Sequence, residues 1–247
     1  MPRANRVSCA GLIWHITHRC HRQDFLLRFA RDRRRWRHWL FKAQRRYGLC
    51  VLNYIVTSNH IHLLVLDRGK TEIKRSLQLV AGRVAQEYNQ RKSRKGAFWE
   101  DRYHATAVQS GQHLLRCMTY IDLNMVRTGA VDHPAEWDVS GYAEIQAPWK
   151  RKGVIDFAAI CELLGVATQT SLAELLNARA ECELQSTVRQ EYWTSSVGVG
   201  DESYLQQLQE RLKPRQMSRA IEISETRSVL REQGLSYLSN FGDKTAN

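Results

Sequence analysis

The sequence predicts an α+β fold, a ferredoxin-like antiparallel sheet with helices on one face, followed by a helical C-terminal region. Three observations predict it. Segments of period-two alternation and segments with apolar residues every three or four positions follow one another as strand, helix, strand, strand, helix, strand, helix, which is the split βαβ order with one helix added. After the stretch from Pro134 to Pro148 the composition turns to acidic helix formers, which places a boundary near residue 150 and divides the chain into 1–150 and 151–247. The 247 residues are 43% hydrophobic and include 7 Trp, 9 Tyr and 6 Phe, enough to build a core and to exclude a disordered polycation.

The first strand is read from Ala10 to Arg19, where Leu12, Trp14 and Ile16 alternate with Ile13, His15 and Thr17. A helix follows from Phe25 to Tyr47. Its apolar stripe is Phe25, Leu26, Phe29, Trp36, Trp39, Leu40 and Ala43, its opposite face is heavily basic, and Gly48 ends it. Leu49 to Asp67 is rich in Val, Ile and Tyr and broken at Thr57, Ser58 and Asn59, the pattern of a two-stranded hairpin. Helical spacing returns from Thr71 to Gln90 through Ile73, Leu77, Val80, Ala81 and Val84. The basic loop RKSRKG then leads to a strand from Ala97 to Val108. A helix from Gln112 to about Arg127 takes Ser110 as its N-cap and Gly129 as its close. In the C-terminal part, helices are expected at Phe157 to Gly165, Leu172 to Arg189, Tyr204 to Leu212 and Arg219 to Glu232.

Charge gives the first functional clue. Lys and Arg number 37 against 25 Asp and Glu, a net +12, and the excess is local. Residues 1–100 hold 22 basic against 6 acidic side chains, or +16; residues 101–152 are neutral and residues 153–247 carry −4. Arg outnumbers Lys by 28 to 9, which favours forked grips on phosphate. A nucleic-acid partner explains this distribution, and a solubilising surface is the plainer alternative. No apolar run approaches the roughly 20 residues needed to span a bilayer, so no membrane association is expected. The opening MPRANRVSCAG lacks the apolar stretch of a signal peptide, and the cytoplasm is the expected location. The six cysteines are far apart with no CxxC pair, which suggests buried thiols and neither a disulfide framework nor a zinc ribbon.

Two pairs of residues could carry chemistry. His60 and His62 are one residue apart on a predicted strand, so their imidazoles project from the same face and could share a metal; such pairs also occur as plain polar edge residues. Tyr120 and Asn124 are four apart on a predicted helix and present a phenol and an amide together; a Tyr packed on the sheet and a locally bonded Asn would satisfy the same spacing.

Taken together, these pairs within a basic ferredoxin-like domain resemble the HUH single-tyrosine transposases, and more closely the REP-associated tyrosine transposases. The resemblance runs through IWHITHRCHR, SNHIHLLV, GAFWEDRYHATAV and YIDLNMVRTGAV, in the family's order, over most of residues 10–145. It implies that His60 and His62 are the HUH pair and hold a divalent cation, that Tyr120 is the nucleophile and that Asn124 is the third ligand. It also implies cleavage and rejoining of single-stranded hairpin DNA through a 5′-phosphotyrosine. The family association points to Mg²⁺ or Mn²⁺, whereas two nitrogen ligands suit Zn²⁺ or Mn²⁺ better than Mg²⁺. Met125 and Thr128 stand where the family usually has Pro and Ala, which bears on the helix geometry beside the nucleophile.

The candidates for DNA contact are Arg33, Arg34, Arg35 and Arg37 in the first helix, Arg94 and Lys95 in the basic loop, and Arg102 in the WxxRYH stretch. A solvated helix face is the alternative for the first group, and pairing with Glu100 or Asp122 is the alternative for Arg102. His15 and His18 on the first strand either line the same sheet face or do no more than hydrogen-bond, and neither is read as a ligand. Family members include dimers that exchange their tyrosine helices and others that resemble monomers, so both assemblies stay open. A rival from another class is a DNA- or RNA-hairpin-binding regulator of the same fold with no catalysis. An RNA module finds no RNP-type aromatic motif in its support.

Overall fold

A computed structural model describes residues 9–148, 153–184, 190–212, 219–224 and 227–232. The first part follows the expected order: β1 (Ile13–Arg19), α1 (Ala30–Tyr47), β2 (Cys50–Val56), β3 (His60–Leu66), α2 (Glu72–Arg91), β4 (His104–Val108), α3 (Gln112–Asp122) and α4 (Asn124–Arg127). Strands β2, β3, β1 and β4 pair antiparallel in that spatial order.

Several boundaries differ from expectation for local reasons. Helix α1 begins at Ala30 because residues 20–29 are tied to the β2–β3 turn: Leu27 N–H donates to the Ser58 carbonyl and Cys20 N–H to the Asn59 carbonyl. Arg22 and Gln23 adopt left-handed backbone there, at φ 54° and 59°. Gly48, at φ 72°, closes α1 as expected, its N–H donating to Gln44. The strand expected from Ala97 is shorter, with only Trp99 bridging to Cys20 before β4. The helix expected over Gln112 to Arg127 breaks at Leu123 (ψ 5°), and its N-cap is Gly111, not Ser110.

Helices α1 and α2 pack against each other on one face of the sheet, as expected. Helix α3 lies on the opposite face. Neighbouring residues of β2 show the division: Asn53 donates to Asp122 of α3, whereas the Tyr54 hydroxyl accepts from Arg37 of α1.

The later part of the chain holds α5 (Gly141–Gln146), α6 (Phe157–Leu164), α7 (Gln169–Glu183), α8 (Tyr192–Ser195) and α9 (Glu202–Leu212), together with β5 (Gly198–Gly200), β6 (Arg219–Ser224) and β7 (Arg227–Glu232). The helix expected over Arg219 to Glu232 is therefore a β-hairpin. Its alternating Ile221, Ile223 and Val229 are strand-formers whose period two was masked by interspersed Arg and Glu. The end of the helix expected to reach Arg189 and the boundary expected near 150 lie partly outside the described residues.

Strand β5 runs parallel to β4, Ala107 opposite Gly198 and Val108 opposite Val199, and β7 and β6 continue the sheet to seven strands. One buried cluster extends from Leu12 to Leu230, so both halves of the chain contribute to it. Gly198 permits this closure: a Cβ there would lie 2.3 Å from Leu208 of α9. Among the described residues, no single helix is long and apolar enough to cross a membrane.

Candidate active site

The pairing of β1 with β3 sets Thr17 opposite His62 and Arg19 opposite His60. Because directly opposed residues share a face and side chains alternate, His15, His62 and His60 all point to the α3 side of the sheet. His18 has the other parity. It stacks on Trp99 at 4.2 Å and hydrogen-bonds the Asp101 carbonyl at 2.8 Å on the α1–α2 side.

His60 and His62 are each held at Nδ1. His60 Nδ1 lies 2.7 Å from Asn59 Oδ1 and 3.0 Å from Thr57 Oγ1, both in the tight β2–β3 turn. His62 Nδ1 lies 2.8 Å from His15 Nε2, and His15 Nδ1 lies 2.9 Å from the Trp193 carbonyl. The remaining nitrogens face each other, with the Nε2 atoms of His60 and His62 3.0 Å apart. The Asn124 amide reaches the same point, its Nδ2 3.1 Å from His62 Nε2, while its Oδ1 is buried without a hydrogen-bond partner.

These features fit a cation. Two ligand atoms at right angles around an ion with bonds of about 2.1 Å stand about 3 Å apart, and exchanging the two Asn124 amide atoms would turn an unpartnered oxygen toward the same point. Burial pushes the His15 imidazole down to about 3 and holds His62 well below the ordinary histidine range, where the neighbouring His60 adds to the effect. Such rings are neutral and can donate a lone pair. Among the described residues no three His, Cys, Asp or Glu side chains cluster as a metal site.

Tyr120 stands at the edge of this group. Its ring meets His62 edge-on at 5.8 Å and His15 at 6.1 Å, lies 6.2 Å from Trp193, and carries the Arg127 guanidinium 4.5 Å from its centroid. Arg127 also donates to the Tyr120 carbonyl. Helix α3 is anchored from beneath by Asn53, whose Nδ2 donates to Asp122 at 2.9 Å and to the Met118 carbonyl at 3.3 Å. Burial lifts the Asp122 carboxyl to about 7. The break at Leu123 redirects the chain so that Asn124 opens α4 toward His62.

The arginines expected on DNA divide into two groups. Arg33 is buried, donating to the Leu27 and Arg28 carbonyls with its guanidinium 4.3 Å over Trp137, and Arg37 donates to Tyr54 and Glu144 at 2.8 and 3.1 Å. Both brace the α1 side of the fold. Arg35 forms a forked pair with Glu87 at 2.6 and 2.8 Å, and Arg34 pairs with Asp138 at 3.4 Å, both partly exposed. Arg94 donates to the Ala97 carbonyl at 2.8 Å. Lys95 and Arg102 are exposed. Asp122, a partner considered for Arg102, is instead buried against Asn53.

Sequence reasoning missed Trp193, Arg127 and the exposed pair Phe25 (48%) and Phe29 (57%). For Phe25 and Phe29 a signal existed, since a helix stripe that starts ahead of its helix leaves its first apolar residues without a core. Trp193 acts on His15 through a backbone carbonyl, which any residue type supplies and no motif marks.

Residues 8–124 match the family model of IS200-like transposases. The matched span takes in His60, His62, Tyr120 and Asn124 and stops there. Among solved structures, a REP-associated tyrosine transposase bound to a REP hairpin is similar to this chain with a TM-score of 0.47 and 19% identity, covering 64% of this chain and 96% of that one. No curated protein sequence matches.

Proposed function

We propose that this chain is a transposase that cuts and rejoins single-stranded, REP-like hairpin DNA, with Tyr120 as nucleophile and a divalent cation, Mg²⁺ or Mn²⁺, held by His60, His62 and Asn124. The observation that carries the reading is the meeting, within one chain, of the Tyr120 ring, the two facing Nε2 atoms and the Asn124 amide. When bound, the cation would polarise the oxygens of the scissile phosphate.

In this reading the Tyr120 phenolic oxygen attacks phosphorus as its proton is lost, and the bond from phosphorus to the 3′-oxygen breaks. That oxygen gains a proton and leaves as a 3′-hydroxyl, while the 5′-phosphate stays on Tyr120. Attack by a 3′-hydroxyl on the phosphotyrosine then restores a phosphodiester and frees the phenol. The ester bond is conserved, so no external energy source is needed. Arg127, its guanidinium 4.5 Å from the Tyr120 ring centroid, would place a positive charge beside the incoming phosphate.

The strand beside the site would cross Lys95, Arg102 and the exposed segment carrying Phe25 and Phe29. That segment is bonded to Ser58 and Asn59, just ahead of His60, and Lys92 lies 5.5 Å over the Phe29 ring. Exposed aromatic rings among cations are the chemistry that holds unpaired bases.

One observation favours a second reading. Tyr120 is only 3% exposed, as suits a hairpin-binding regulator that does not cut. Incubating hairpin-tailed single-stranded DNA with Mn²⁺ and resolving the products on denaturing gels separates the two. The enzyme reading expects a covalent adduct that disappears in Tyr120→Phe. Binding with no adduct supports the regulator, and an adduct that persists in Tyr120→Phe overturns the assigned nucleophile.

A further inference from the structure

We propose that the Trp193 backbone carbonyl, acting through His15, fixes the tautomer of His62 and so makes residues 190–200 part of the metal site. This rests on the reading of His60, His62 and Asn124 as cation ligands. His15 is a positioning residue in this scheme and does not touch the cation.

The argument follows protons along a buried chain. A carbonyl oxygen only accepts, so the 2.9 Å contact between Trp193 O and His15 Nδ1 requires hydrogen on Nδ1. With His15 neutral, its Nε2 is then a bare acceptor. The 2.8 Å contact to His62 therefore requires hydrogen on His62 Nδ1. That leaves His62 Nε2 with an unshared pair, aimed at His60 Nε2 and the Asn124 amide. His60 reaches the same state from its other side, where Asn59 Oδ1 accepts from its Nδ1. Two lone pairs facing each other at 3.0 Å repel unless a positive centre lies between them.

The carbonyl at the origin of this chain is itself held firmly. Thr106 of β4 donates to the carbonyls of Trp193 and Ser196 at 3.1 and 2.7 Å. His104 Nε2 lies 3.0 Å from the Ser196 carbonyl. Ala107 N–H donates to the Val197 carbonyl, and Val197 N–H donates to Leu230 of β7. The Trp193 indole N–H donates to Gln190 at 2.9 Å. The parallel β4–β5 pairing thus sets the position of an oxygen that, two imidazoles away, determines which nitrogen meets the cation. Outer partners of this type orient metal-binding histidines, and their loss typically weakens metal affinity about 10–100-fold.

The test compares His15→Gln with His15→Leu in the full chain. Glutamine can donate to Trp193 with its amide N–H and accept from His62 with its oxygen, whereas leucine can do neither. Long-range ¹H–¹⁵N NMR of the imidazoles reads the tautomer without metal: the Nδ1–H form of His62 is expected in the parent chain and in His15→Gln, and is lost in His15→Leu. Titration of Mn²⁺ followed by EPR is expected to show affinity about 10–100-fold weaker in His15→Leu and within a few-fold of the parent in His15→Gln. Metal-free hairpin DNA binding should be equal in all three, which reports intact folding. An Nε2–H tautomer in the parent chain overturns the relay. So does a His15→Leu chain with parental Mn²⁺ affinity, or a His15→Gln chain as weak as His15→Leu. If the parent shows the expected tautomer but takes up no Mn²⁺, the relay stands as a hydrogen-bond chain, and its role in a metal site falls together with the metal reading.

Discussion

His60 and His62 illustrate what single residues reveal in a sequence. The strand period alone puts them on one face, and the β1–β3 register then adds His15, which no spacing within β3 could indicate. The same parity sends His18 to the opposite face, where it is buried under Trp99. Burial lowers its pKa to about 4 despite the Asp101 carbonyl it bonds. The unfolded chain therefore binds a proton at this ring that the folded chain refuses as pH drops below about 6.5. The resulting contribution is present at neutral pH, fades as pH falls from about 6.5 to about 4, and amounts to at most about 3 kcal/mol. Urea unfolding at pH 7 and pH 4.5 measures it. His18→Phe, which keeps the stacking ring, should lose less stability on acidification than the parent; an unchanged difference would show that His18 does not titrate as described.

Elements were legible where one periodicity dominated. Helix α2 and the β2–β3 hairpin appear where the apolar spacing puts them. The β6–β7 hairpin did not, because Arg and Glu interrupt its alternation and resemble a charged helix face. Helix α1 was legible as a helix but not in its orientation. A run of arginines reads as one basic face, yet Arg33 and Arg37 turn inward and Arg35 is paired across to α2. This difference makes a prediction. Arg37→Ala leaves Glu144 and Tyr54 buried without their cation and should cost about 3–5 kcal/mol of stability, with little change in the salt slope of DNA binding. Lys95→Ala and Arg102→Ala should leave stability within about 0.5 kcal/mol and each lower that slope by about one. Chemical denaturation and binding titrations across salt concentrations check both, and a reduced slope for Arg37→Ala with none for the two exposed residues would reverse the assignment.

At the scale of the molecule, the sheet continues from β4 into β5 across the place where composition changes, so the acidic later residues share a core with the basic first hundred. The composition shift was real but marked a change of surface and not an end to the sheet. The Tyr120 ring meets His62 of its own chain, and Asn124 reaches the same imidazole, so the proposed site predicts a tyrosine that acts in cis. Mixing His62→Ala with Tyr120→Phe should restore no adduct, whereas recovery of activity would mean that tyrosine helices are exchanged between chains. The most direct test of the whole reading is the covalent intermediate itself. Trypsin releases the peptide from Cys117 to Arg127, in which Tyr120 is the single tyrosine. Mass spectrometry of the chain after reaction with hairpin-tailed single-stranded DNA and Mn²⁺ should find the nucleotide on that peptide, at Tyr120. Adduct on any other peptide, or a DNA-bound chain with no adduct, would contradict the central claim.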